Sequence, residues 1–90
     1  MSERQLPAAH AVARAKIELL QRLESTGSFE AKLLADELLG ARTLRDLAER
    51  ARDIASQLRV SDGNAVADPF WNEAKQVLIR WRDGGDATRG

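Results

Sequence analysis

The chain has no cysteine, which excludes disulfides and thiolate metal sites and is compatible with a cytoplasmic setting. Histidine occurs once, at His10, and no His-x-x-x-His or Glu-x-x-His spacing exists. A zinc site built on imidazoles is therefore not expected. Phosphate-binding glycine patterns of the G-x-x-x-x-G-K or G-x-G-x-x-G type are missing too, so no cofactor is expected. Neither charge is in excess: 14 basic residues face 14 acidic ones. Nucleic-acid-binding domains usually carry a basic surplus, so the balance weighs against that class. No run approaches the ~20 apolar residues that cross a bilayer. The opening MSERQLPAAHAV lacks the basic start and long apolar stretch of a secretory leader, and no membrane partner is expected.

What is present is helical patterning. Over Thr43–Arg59, Leu44, Leu47, Ala48, Ala51, Ile54, Ala55 and Leu58 fall on an arc about 120° wide at ~100° per residue. Arg45, Asp46, Glu49, Arg50, Arg52 and Asp53 occupy the rest. Thr43 with Asp46 three residues on has the form of a capping box. Arg42–Asp46, Arg45–Glu49 and Asp46–Arg50 are spaced for i,i+4 ion pairs. The expected fold class is all-α, a compact bundle of four short helices at about 7–24, 29–39, 44–60 and 69–82. One helical domain over 1–82 and a polar tail over 83–90 are expected from a chain of 90 residues.

The first helix is expected to start near Pro7 and to stop at Ser25-Thr26-Gly27. Its arc, Ala9, Val12, Ala13, Ile17, Leu19, Leu20 and Leu23, is wide enough for two neighbours. Ser28 is placed to cap the second helix, and Gly40 suits the left-handed conformation that often ends one. That helix has one broad apolar face (Ala31, Leu34, Ala35, Leu38, Leu39) and a separate patch of Phe29 and Leu33. Such a helix is either central in a bundle or shared with a second chain. For the fourth helix, Asp68-Pro69 reads as cap and first residue, with Phe70, Trp71, Ala74, Val77, Leu78 and Trp81 on one arc.

Few residues suggest chemistry. His10 lies beside the first apolar arc and reads as a surface histidine. Glu30, Asp36 and Glu37 share the polar flanks of the second helix, where Lys32 neutralises Asp36 and a solvated face is the expectation. The serines fall at caps, turns or on a polar face, and enzymatic activity is not expected. Lys16, in the middle of an apolar arc, should either snorkel to water or reach a carboxylate on another helix or a partner. Three of the four aromatic residues sit on the last helix, and Trp71, at the edge of its arc, is a candidate contact residue.

Two segments resemble helix-turn-helix units of bacterial regulators. ARDIASQLRVSDGNAV resembles the I-A-x-x-L-x-V-S pattern through Ile54, Ala55, Leu58, Val60 and Ser61, with Arg59 in place of the usual turn glycine. LADELLGARTLRDLAER places Gly40 in a turn and Arg42, Thr43 and Arg45 at the start of the next helix, with Asp36 and Asp46 where such motifs want apolar or small residues.

The leading expectation is a small non-enzymatic interaction module (regulator, inhibitor or adaptor) that docks an apolar helical face on another protein, with homodimerisation open. Its contact residues would be Phe29, Leu33, Trp71 and Lys16. The alternative is a small DNA-binding regulator using Arg42, Thr43 and Arg45.

Overall fold

A computed structural model of the chain describes the backbone of residues 2–82 and the side chains of residues 10–82. It consists of four helices, α1 (Ser2–Ser25), α2 (Phe29–Leu39), α3 (Leu44–Asp62) and α4 (Asn64–Arg82), with no strand among the described residues. The all-α bundle expected from the apolar periodicity is the fold found. The expected polar tail at 83–90 lies outside the described residues.

The turns follow from local chemistry. Gly27 takes φ 72°, a conformation that only glycine adopts without strain, and it reverses the chain between α1 and α2. The Thr26 hydroxyl donates to Leu23 O (2.7 Å) and accepts from Ser28 N–H (3.2 Å), tying the end of one helix to the start of the next. Ser28 caps α2 as expected, its Oγ accepting from Ala31 N–H at 3.2 Å. Thr43 caps α3 through Asp46 N–H at 2.9 Å. The returning carboxylate of Asp46 accepts from Arg42 N–H (3.4 Å), one residue before the cap, so the box closes on the turn.

Gly40 is not left-handed; its φ of −81° and ψ of −7° are right-handed helical values. What crowds it is a side chain. A Cβ would stand 3.1 Å from Nη1 of Arg50, whose guanidinium reaches over the turn to donate to Glu37 O at 3.0 Å.

Helix boundaries differ from expectation at three points. α1 begins at Ser2 instead of near Pro7, because Glu3, Arg4, Gln5 and Leu6 all have good helix propensity. α3 continues to Asp62, and α4 begins at Asn64 rather than at Pro69. The turn between them is Gly63 alone, at φ 86°. Its N–H bonds back to Leu58 O and Arg59 O, while its carbonyl accepts from Val66 and Ala67 N–H. Burial drives the early start of α4: Ala67 is fully enclosed and extends the stripe Phe70, Ala74, Val77, Trp81 by three residues. Pro69 therefore lies inside the helix, and Asp68, not a cap, pairs with Arg59 across the turn at 3.2 Å.

The first helix-turn-helix resemblance fails on the same ground. Ser61 is still helical and Val60 is 88% exposed, where the motif would bury it in the turn.

α1 and α3 each contact one another and both remaining helices, while α2 and α4 meet only marginally. The α3–α4 interface is the most extensive. Leu47, Ala51, Ile54, Ala55 and Leu58 are buried as the apolar arc of α3 required, with Leu44 and Ala48 half-buried at its edge. Each enclosed leucine or isoleucine contributes about 1.5–3 kcal/mol relative to exposure. The arc of α1 is rotated from expectation: Ala11, Ala15, Leu19 and Leu23 are buried, whereas Ala13 and Ile17 are exposed. Small alanines on α1, α3 and α4 let the backbones approach closely, and the larger Ile17 is turned out. Leu39, placed by periodicity on the broad face of α2, is 54% exposed, because the inward face is made by Ala31, Leu34 and Leu38 with Ala35 half-buried beside them.

No described helix is long and apolar enough to cross a membrane.

Candidate functional site

An open groove of about 500 Å³ runs along α3 and α4. Its origin is a second row of side chains beside each core row. On α4 the core row Phe70, Ala74, Val77, Trp81 is flanked by Trp71, Lys75, Leu78 and Arg82, at steps of four, three and four residues. On α3 the flanking positions are Leu44 and Ala48. The single methyl of Ala48, facing a helix that carries Trp71 and Leu78, leaves the space unfilled. Ile79, 45% exposed, completes the apolar wall.

The cations of the groove are Arg45, Lys75 and Arg82, and no carboxylate is among its described lining residues. Lys75 holds its ammonium 5.7 Å from the Trp71 ring centroid, a cation–π distance. Arg45 projects into water, 90% exposed, and meets Glu49 only at 4.0 Å. An exposed pair at that separation contributes little, so the guanidinium is available to a partner's carboxylate.

A second apolar surface lies on the outer side of α2. Phe29 and Leu33, one helical turn apart, are 73% and 58% exposed. Neither residue of this patch lines the groove. Of the proposed contact residues, Phe29 and Leu33 thus share one surface and Trp71 belongs to another.

Lys16 belongs to neither surface. Its ammonium donates to the carbonyls of Leu39 and Ala41, both at 2.9 Å, at the end of α2. It satisfies acceptors that the helix leaves open and sits at the negative end of the helix dipole.

Arg42, Thr43 and Arg45 are adjacent at the start of α3, but only Arg45 extends its side chain to the groove. The Thr43 hydroxyl and the Arg42 N–H are bound to Asp46, as amide acceptor and donor respectively. Asp46 also pairs with Arg50 at 3.0 Å. Glu37, one of the three carboxylates on α2, is 3.8 Å from Arg50. Among the described residues no cluster of three or more metal-binding side chains occurs.

Two groups went unrecognised in the sequence. Glu18 of α1 accepts from Trp81 Nε1 at 2.9 Å and also pairs with Arg80. One turn on, Arg22 is 3.4 Å from Glu73. The signs alternate along α1 and in reverse along α4, so the two pairs register the helices antiparallel. Nothing local marks partners more than 50 residues apart. Lys75 and Ile79 were the second omission, and their four-residue step from Trp71 and Lys75 was the available signal. His10 packs edge-on to Trp81, ring centroids 5.9 Å apart, as a surface-facing partner of the core.

The chain matches no protein-family model, no curated protein and no solved structure.

Proposed function

We propose that the chain is a small non-enzymatic protein-interaction module, a regulator, inhibitor or adaptor that docks an apolar helical surface on a partner protein. The observation behind this reading is apolar surface that the fold leaves uncovered. The groove walls remain open after four helices have packed, and Phe29 is 73% exposed on α2. A domain of this size has few ways to hide such surface except against another chain. The lack of cysteine supports a cytoplasmic setting.

A role on duplex DNA has less support. The Thr43 hydroxyl is engaged in capping, and Asp46 and Glu49 interleave the arginines at the start of α3, where their charge opposes phosphate.

The test is recovery of a stoichiometric partner from source cells on tagged full-length chain, compared with Trp71→Ala and Phe29→Ser. We expect wild type to retain a partner that one of these variants loses, with unchanged far-ultraviolet circular dichroism. A central aromatic anchor is worth about 2 kcal/mol or more, roughly thirtyfold in affinity. Equal retention by all three forms, or no partner with any of them, refutes the reading. Sedimentation of wild type and Phe29→Ser tests self-association through α2.

A further inference from the structure

Resting on that reading, we infer that the α3–α4 groove receives an amphipathic helix from a partner protein, with acidic residues flanking the helix's apolar stripe. Two observations select this occupant. The first is shape: the α4 wall runs from Trp71 to Arg82, roughly 16 Å at 1.5 Å per residue. That is about three helical turns, the length over which anchors at i, i+3 or i+4, i+7 and i+11 lie along one face. The second is charge. The described lining combines an apolar floor with the exposed cations Arg45 and Lys75 and contains no carboxylate; Glu49 stands 4.0 Å from Arg45. Acidic flanks complement that edge, and basic flanks would be repelled by it.

A second copy of this chain fits less well. Its exposed α2 ridge is limited to Phe29 and Leu33, a span of roughly 6 Å, and Lys32 borders it. That ridge fills little more than a third of the groove.

The experiment uses the full chain and two synthetic 16-residue helical peptides with identical leucine stripes, one flanked by glutamates and one by lysines. Binding is followed by titration calorimetry and mapped by backbone amide shifts. The glutamate peptide should bind at least tenfold tighter than the lysine peptide, weaken several-fold between 50 and 300 mM salt, and shift amides of 44–48 and 71–82. Arg45→Glu with Lys75→Glu changes two exposed side chains and should reverse the preference while leaving the circular dichroism spectrum intact. Equal binding of both peptides, amide shifts centred on Phe29 and Leu33, or a preference unmoved by the double charge reversal overturns the inference. So does sedimentation showing that a second copy already occupies the groove, or binding of phosphatidylserine vesicles without binding of either peptide. These results leave the docking reading to be judged on partner retention, so the two can fail separately.

Discussion

A lysine among leucines ordinarily lays its methylenes on the core and sends its ammonium to water. Lys16 does the first but ends on two carbonyls at the end of α2, 2.9 Å from each. Charged hydrogen bonds of this kind contribute more than neutral ones, and partial exposure moderates the gain. Lys16→Met should lower stability by about 1–2 kcal/mol, read as a shift in the urea midpoint with unchanged slope. No change in midpoint would show that the contact is not maintained in solution. The glycines separate by the same residue-level logic. Gly27→Ala and Gly63→Ala force a side chain into positive φ and should each cost about 1–2 kcal/mol. Gly40→Ala should stay within about 0.5 kcal/mol, because the reduced freedom of the unfolded chain offsets the displacement of one flexible arginine end. Thermal unfolding of the three variants tests the ranking.

At the scale of elements, α4 is the informative case. Pro69 occupies its sixth position and cannot donate to Ala65 O. The defect is tolerated because Ala65 is exposed and water reaches its carbonyl. Pro69→Ala should restore the bond and stabilise the chain by about 1 kcal/mol, the gain being reduced by the greater freedom of the unfolded chain. A fall in melting temperature would contradict the continuous helix from Asn64. α3 shows the opposite situation, in which cap, ion pairs and apolar arc all agree. Its limits at the N-terminus were legible in Thr43 and Asp46 for that reason. The start of α4 was not, because Asp68-Pro69 is a good local cap signal that the burial of Ala67 overrides.

Across the whole molecule, packing is uneven. α3 carries the enclosed Leu47, Ile54 and Leu58 and packs on every other helix, whereas α2 is short and packs mainly on α1 and α3. Local opening should therefore begin at α2. In native-state hydrogen exchange, amides of 33–39 should exchange faster than those of 51–58 by at least tenfold; equal protection would show a single cooperative unit. The α1–α4 register depends on Glu18, which serves both Trp81 and Arg80. Glu18→Ala orphans the half-enclosed indole N–H and should cost about 2 kcal/mol, measurable in denaturant.

Helical class, the turns at Gly27 and Thr43, and the buried stripe of α3 were determined by the sequence alone. Periodicity and capping act over a few residues and need no partner to be recognised. The exposed patch of Phe29 and Leu33 was equally visible, since two positions four residues apart share a face whatever surrounds the helix. Only the tertiary structure decided which side of α1 faces inward, that Arg50 lies over Gly40, where Lys16 and Glu18 end, and that Trp71 borders a groove with cations along it. Each of those depends on groups far apart in the chain, and their distances exist only once the helices have packed.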